Sequence, residues 1–232
     1  MSERMMGCLP REVSAPGDGM FPIYGEVPQT PPLLSWDEIE AAGTDLSEHF
    51  RWHTINQNPQ NSCCAAMGCH ITMGIREILG GHKRVVLSQA SLYGPGNGGR
   101  DAGMPIDSCL KMLQTQGACT VSVIDQYDWK GFWRDKWPDG WEQEAAFFKA
   151  LEAFDCPTLQ HMQSAVASGW PVGYGCKGHA VVRIARHKDK NSWGPDWGEH
   201  GDGIGQWATD REIERDITRY GAWALRVVTD ST

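Results

Sequence analysis

The sequence predicts an α+β fold with two segregated lobes. Helix-period apolar patterns occupy the chain from residue 63 to about 168, whereas from Pro171 onward it breaks into short extended runs punctuated by glycine. The two kinds of element do not alternate, which argues against a parallel sheet with crossover helices. At 232 residues the chain is long enough for one large domain with a full core. We divide it into an irregular N-terminal arm, 1–34, and a folded domain, 35–232, with a helical lobe over about 55–155 and a β lobe over about 156–232.

The arm is read as irregular because Pro10, Pro16, Pro22, Pro28, Pro31 and Pro32 interrupt it. Ser35 is a candidate N-cap for a short helix through Ala42. A polar, turn-prone run, Asn56 to Ser62, gives way at once to an apolar pattern from Cys63 to Leu79, closed by Gly80-Gly81. That is a helix of about 17 residues. No charge falls between Cys63 and Ile75, so it is expected to be central and buried. Val85–Leu87 reads as extended, residues 93–103 as a glycine-dense loop, and Ile106–Thr115 as a helix ending before Gly117. Trp129, Trp133, Trp137 and Trp141 recur every four residues, but Gly131, Pro138 and Gly140 predict an irregular aromatic segment. Helices are expected over Glu142 to about Glu152 and Thr158–Ser168. Strands follow at Pro171–Cys176, His179–Arg186, Lys190–Trp193 and Ile204–Ala208, then a helix over Asp210–Thr218 and a strand over Ala222–Val228.

Charged residues make up 22% of the chain and the net charge is −8, with no basic stripe. Nucleic acid is therefore not an expected partner, since phosphate contacts need clustered Lys and Arg. No apolar run approaches the ~18 residues of a membrane span, and the first ten residues show no apolar signal core. Those features predict a cytoplasmic or virion-associated protein, and most of its 8 cysteines are read as reduced thiols.

The chemistry concentrates at Cys63. A cysteine at a helix N-terminus lies where unpaired N–H groups and the helix dipole favour an anion, which lowers a thiol pKa. Gln57, six residues earlier, offers a side-chain amide to the same place. A thiolate nucleophile needs a base and a group that orients the base. His179 opens one expected strand and Asn191 lies on the next, so antiparallel pairing brings them side by side, with Trp193 able to shield their hydrogen bond.

With these residues in place the chain resembles the papain-like cysteine peptidases over roughly 35–228. Gln57 with Ser62-Cys63, the loop Gly96-Asn97-Gly98-Gly99, His179-Ala180-Val181, and Lys190-Asn191-Ser192-Trp193-Gly194 with Trp197-Gly198-Glu199 and Gly201 carry the resemblance. It implies a two-lobed peptidase with Cys63 as nucleophile, His179 as its base, Asn191 orienting His179, and Gln57 in the oxyanion hole. It also implies that Gly98, Gly99, Arg100, Asp101, Gly178, Ala180 and Trp193 line the substrate cleft, with Arg100 and Asp101 making a more polar specificity pocket. The intervals from Cys63 to His179 and Asn191 are 116 and 128 residues, against about 130–150 in the family. Three positions depart from the family pattern. Cys64 stands where a tryptophan is usual. Gln60 and Gly96 replace both halves of a usual disulfide, which would leave the Gln60 loop unbraced.

Other readings weigh beside this one. Cys64 competes with Cys63, but only Cys63 lies six residues after Gln57. Cys69, Cys109, Cys119, Cys156 and Cys176 read as inert core thiols, and His53, His70, His82, His161 and His187 as structural. The spacing of Cys63, Cys64, Cys69 and His70 fits no common zinc pattern, so no metal or cofactor is expected. The expected partner is a peptide or protein substrate, with the arm either plugging the cleft or anchoring the protein to an assembly partner. The alternative function is a catalytically silent papain-like fold serving as a structural or binding component of a larger assembly such as a virion.

Overall fold

The computed structural model describes residues 6–11, 31–80, 83–150, 152–198 and 200–226. Arm residues 1–5 and 12–30, Gly81, His82, Leu151, Glu199 and the Val227–Val228 end of the last expected strand lie outside them.

The described start of the arm is not irregular: Cys8–Leu9 form a short strand, β1. Helix α1 (Trp36–Ala42) begins at Ser35 through a reciprocal capping box with Glu38. A single turn, α2 (Ser47–Phe50), leads to α3 (Cys63–Leu79), the 17-residue helix the pattern predicts. Every residue from Cys63 to Arg76 is buried, as expected for a helix that is apolar all round. Two glycines let neighbours close on it. A Cβ at Gly74 would overlap the Phe50 ring, and one at Gly68 would lie 2.7 Å from Cys109 Sγ.

The loop expected at 93–103 begins as a helix, α4 (Gln89–Gly96), with Pro95 inside it. Pro95 has no N–H for the carbonyl four residues back, and Gln116 Nε2 donates to that Ser91 carbonyl instead, at 2.9 Å. Strand β2 (Met104–Pro105) pairs parallel with β1, Cys8 opposite Met104. Helix α5 (Ile106–Thr115) buries Ile106, Cys109, Leu110 and Leu113, one stripe at helical spacing. The aromatic segment contains a short helix, α6 (Trp129–Trp133), and the helix expected from Glu142 is only α7 (Trp141–Ala145) with a 3-10 turn over Ala146–Phe148.

Strands then dominate: β3 (Ala153–Asp155), β4 (Val172–Cys176), β5 (His179–Ala185), β6 (Lys188–Lys190), β7 (Ile204–Gly205) and β8 (Ala222–Leu225), with α8 (Leu159–Ala167) and α9 (Asp210–Tyr220) between them. They form one antiparallel sheet ordered β3-β8-β4-β5-β6-β7. Its core packs Met162, Val166, Tyr174, Val181, Ile213 and Ile217 together, while a second core surrounds α3. The strand expected over Lys190–Trp193 ends at Lys190. Beyond it Asn191 N donates to Gly203 O at 2.8 Å, and Trp193 bridges to Asn56 of the helical lobe. The β5–β6 corner is locked by a buried ion pair, Arg183 Nε to Asp189 Oδ1 at 2.8 Å, to which Tyr174 OH also donates, at 3.0 Å. That lock fixes the strands whose ends carry His179 and Asn191.

Candidate active site

Cys63 is the first residue of α3, and helix geometry leaves the first-turn N–H groups without intrahelical partners. Burial works to raise its pKa. Hydrogen bonds from the Cys64 thiol and His179, the His179 charge and the Ala180 N–H outweigh burial and hold the Cys63 thiol well below its usual value. Cys64 goes the other way: burial and its two thiol neighbours push it well up, and its Sγ lies 3.0 Å from Met104 O. The two adjacent cysteines are thus separated by environment, one thiol pushed down and the other up.

His179 Nε2 and Asn191 Oδ1 lie 2.8 Å apart, and both residues are fully buried. With the amide oxygen as acceptor, Nε2 carries the proton, and Nδ1, which bonds to no oxygen or nitrogen, is the nitrogen left for sulfur. Trp193 stacks on the imidazole, centroids 4.3 Å apart, and Trp207 meets it edge-on at 5.3 Å. Water is kept from the His179–Asn191 bond on both sides. Trp193 was expected from its place in the sequence. Trp207 was not, and its backbone N–H is held by Asp189 Oδ2 at 2.8 Å.

Gln57 is tied to the Asn191 segment twice: its N–H donates to Ser192 O at 2.8 Å, and its Oε1 accepts from Ser192 Oγ at 2.6 Å. Its Nε2 donates to Gln60 O at 3.1 Å. These bonds fix the plane of the amide and hold the helical-lobe loop to the β lobe.

The Gln60 loop, expected to be unbraced, is held by hydrogen bonds. Gln60 Nε2 reaches Tyr127 O at 2.9 Å, and Ser62 Oγ reaches Gln89 Oε1 at 3.1 Å. The Asp101 carboxylate accepts from Asn61 N at 2.9 Å and Tyr93 OH at 2.6 Å. Asp101 therefore has a bracing contact that the sequence did not suggest. It also borders an open cavity of about 520 Å³, with Gln60, Gly99, Tyr127, Trp129 and Lys130 on its wall. Gly98 and Gly99 are exposed with φ of +64° and +79°, a turn that side chains disfavour. Trp133 lies under Gly99, its indole N–H donating to Gly94 O at 2.6 Å. Arg100 is exposed, and its backbone N–H closes the turn onto Asn97 O.

The arm crosses this site. Cys8 N donates to Gly178 O, and Met104 N donates to Gly7 O, both at 2.9 Å, so Gly7–Cys8 bridges the two lobes. Gly178, expected to hold substrate, holds the arm. Gln57, Cys63 and His179 have no exposed surface.

No protein-family model matches the sequence, and no curated protein sequence does. Solved structures do. Xylellain, a cysteine protease from Xylella fastidiosa, aligns over 98% of this chain and 99% of its own, at 18% identity and a TM-score of 0.69. Digestive procathepsin L 3 from the larval midgut of Tenebrio molitor aligns over 92% of this chain and 76% of its own, at 15% identity and a TM-score of 0.66. The proform of the ragweed pollen cysteine protease Amb a 11 aligns over 79% and 64%, at 17% identity and a TM-score of 0.59.

The chain has the papain-like fold.

Within that papain-like fold, Gln57, Cys63, Ala180, His179, Asn191 and Trp193 come together, and Gly178 adjoins them through the arm. Gly98, Gly99, Arg100 and Asp101 lie on the loop beside the cavity. Sequence reasoning passed over Ser192, Trp207 and Cys8. Ser192 sits inside a motif already singled out, whereas Cys8 lies in the arm that the sequence predicts to be irregular, with no local pattern that marks it. No described helix is long and apolar enough to cross a membrane.

Proposed function

We propose that the chain is a cysteine-dependent peptide-bond hydrolase. The observation that carries this reading is His179, held through Nε2 by Asn191 at 2.8 Å, on the strand beside a Cys63 that opens α3 and whose pKa is held down by the Cys64 thiol and by His179. In the first step the Cys63 thiolate attacks the substrate carbonyl carbon. The oxyanion that forms takes hydrogen bonds from the Gln57 amide and the Cys63 N–H, donors that typically contribute about 10²–10³ in rate. The His179 imidazolium then gives its Nδ1 proton to the leaving amine, and the C–N bond breaks to leave a Cys63 thioester. Neutral His179 takes a proton from water as water attacks the thioester, and collapse releases the acid and restores the ion pair. Asn191 keeps Nδ1 aimed at sulfur throughout, and the tryptophans keep that hydrogen bond dry. Peptide would lie along Gly98–Gly99 and Gly178, with side chains toward Arg100 and Asp101.

The covered cleft supports a latent enzyme, because substrate must displace Gly7–Leu9 to reach Cys63. The same covering favours the second reading, a silent fold whose arm docks it to an assembly partner. Both readings are tested by alkylating the full chain with iodoacetamide and by a fluorogenic peptide library. The first expects selective alkylation at Cys63 below pH 7, and cleavage that is lost in Cys63→Ala and His179→Ala. Alkylation of Cys63 no faster than of a free thiol, with no cleavage even after the arm is removed, leaves only the second.

A further inference from the structure

Three thiols meet where the arm crosses the cleft. Cys64 is in side-chain contact with both Cys8 and Cys63. Backbone placement produces this contact. Cys8 pairs opposite Met104 in the β1–β2 ladder, and Cys64 Sγ lies 3.0 Å from the carbonyl oxygen of that same Met104. The Cys8 N–H is held by Gly178 O, one residue before His179, and its sulfur rests against Gly175 of β4. All three cysteines are free thiols.

We propose that Cys8 is the resolving thiol for an oxidised Cys63, so that a hydroperoxide turns the docked arm into a covalently closed one. The proposal rests on Cys63 being the thiolate of the preceding reading, since thiolates are the form that peroxides oxidise. With the arm displaced, the Cys63 thiolate attacks hydrogen peroxide. A sulfur–oxygen bond forms, the O–O bond breaks, and hydroxide leaves; sulfur is oxidised by two electrons and peroxide is reduced by two. When the arm redocks, Cys8 sulfur attacks the Cys63 sulfenic acid. The disulfide forms as the S–O bond breaks, and the hydroxyl leaves with the Cys8 proton as water. Burial disfavours the Cys8 thiolate, but the docked strand holds it at the site, and proximity offsets that cost.

Cys64 is not the resolving thiol, although it is nearer in sequence. Adjacent Cα atoms stand about 3.8 Å apart across a trans peptide, whereas a disulfide needs about 4.4 Å or more. Cys64 is instead placed for exchange. By attacking Cys8 Sγ in a Cys8–Cys63 bridge it moves the bridge to itself and releases Cys63 as a thiolate.

The test treats the full chain with stoichiometric hydrogen peroxide, blocks free thiols with N-ethylmaleimide, and maps disulfides by mass spectrometry without reduction. The expected product links the Cys8 peptide to the Cys63-Cys64 peptide, and dithiothreitol reverses it. Cys8→Ser loses the link and accumulates sulfinic acid at Cys63, while Cys64→Ser retains a Cys8–Cys63 link. A Cys63–Cys64 link, no link to Cys8, or loss of the link in Cys64→Ser overturns the proposal. Iodoacetamide run in parallel separates the two readings. Alkylation of Cys63 without a Cys8 link defeats only the resolving role, and no alkylation of Cys63 even with residues 1–11 deleted defeats both.

Discussion

Asp189→Ala tests how the β lobe holds the candidate site. Asp189 and Arg183 have no exposed side-chain surface. Arg183 Nε reaches Asp189 Oδ1 at 2.8 Å and Nη2 reaches Oδ2 at 3.4 Å, while Tyr174 OH and Trp207 N donate to the same carboxylate at 3.0 and 2.8 Å. Removing the carboxylate leaves the guanidinium with the Arg186 carbonyl and Tyr174 OH as partners. Breaking a buried pair by deleting one partner costs about 3–5 kcal/mol, and an orphaned amide costs about 1–3 more. The two costs overlap because one entering water serves both, so we expect a loss of about 4 kcal/mol in urea unfolding. In a chain of this size each kcal/mol lowers the melting temperature by about 2–4 °C. The freed Trp207 also uncovers His179, so Cys63 alkylation should slow even in the fraction that stays folded. If Asp189→Ala does not fold, Asp189→Asn shows a smaller loss, and the double variant Arg183→Met/Asp189→Leu recovers most of it, because well-packed apolar replacements of a buried pair are often neutral. A loss below about 1 kcal/mol for Asp189→Ala, or a double variant worse than the single, would refute the reasoning.

Four further outcomes are expected. Plotted against pH, the Cys63 alkylation rate should turn over well below the ordinary thiol range, because the thiolate survives until pH falls through its depressed pKa; Cys64→Ala, which removes one hydrogen-bond donor, should move the turnover upward. Deleting residues 1–11 should raise the alkylation rate at neutral pH by about tenfold or more, since Cys63 is fully covered when Gly7–Cys8 is docked; an unchanged rate removes the plug. Asp101→Ala should increase hydrogen exchange at Asn61 and the Gln60 loop, and a peptide-library profile of the same variant, if unchanged, removes Asp101 from the specificity pocket. Lys190, whose ammonium is bonded to Thr54 Oγ1 and Asp202 O, is pushed down by burial to about 7. Between that value and the unfolded value of 10.5 the unfolded chain binds a proton that the native chain does not, so wild-type stability should rise with pH relative to Lys190→Met, by at most about 1.4 kcal/mol per pH unit; parallel curves would contradict it.

The parts of the site that the sequence made legible are those set by local chemistry. The turn-to-helix switch at Ser62–Cys63, the strand opening at His179 and the Asn191 block each announce themselves within a few residues, and α3 and α5 fall where their apolar spacing puts them. The misjudged parts depend on distant partners. Residues 93–96 fall in the expected glycine-dense loop but continue α4, because the carbonyl that Pro95 leaves unpartnered is taken by Gln116, twenty-one positions on. The strand expected over Lys190–Trp193 stops at Lys190 because Asn191 and Trp193 take partners outside β5, Gly203 and Asn56. The expected unbraced Gln60 loop rested on a missing covalent bond, and its replacement is spread over Tyr127, Asp101 and Tyr93, none of which signals its role alone.

Gly96 and the docked arm meet at Met104. Gly96 is packed so closely that a Cβ there would lie 2.5 Å from Met104 Cε. A cysteine at position 96 would push the end of the Met104 side chain aside, and Met104 is the residue whose N–H donates to Gly7 O and whose carbonyl lies against the Cys64 thiol. Gly96 therefore leaves room for the Met104 side chain beside the strand on which the arm is seated. Gly96→Cys, even as a free thiol, should loosen Gly7–Cys8 and speed Cys63 alkylation, whereas Gln60→Cys, at the other end of the absent bridge, should leave the arm docked. Equal effects of the two substitutions would show that the arm's seat and the missing bridge are unrelated.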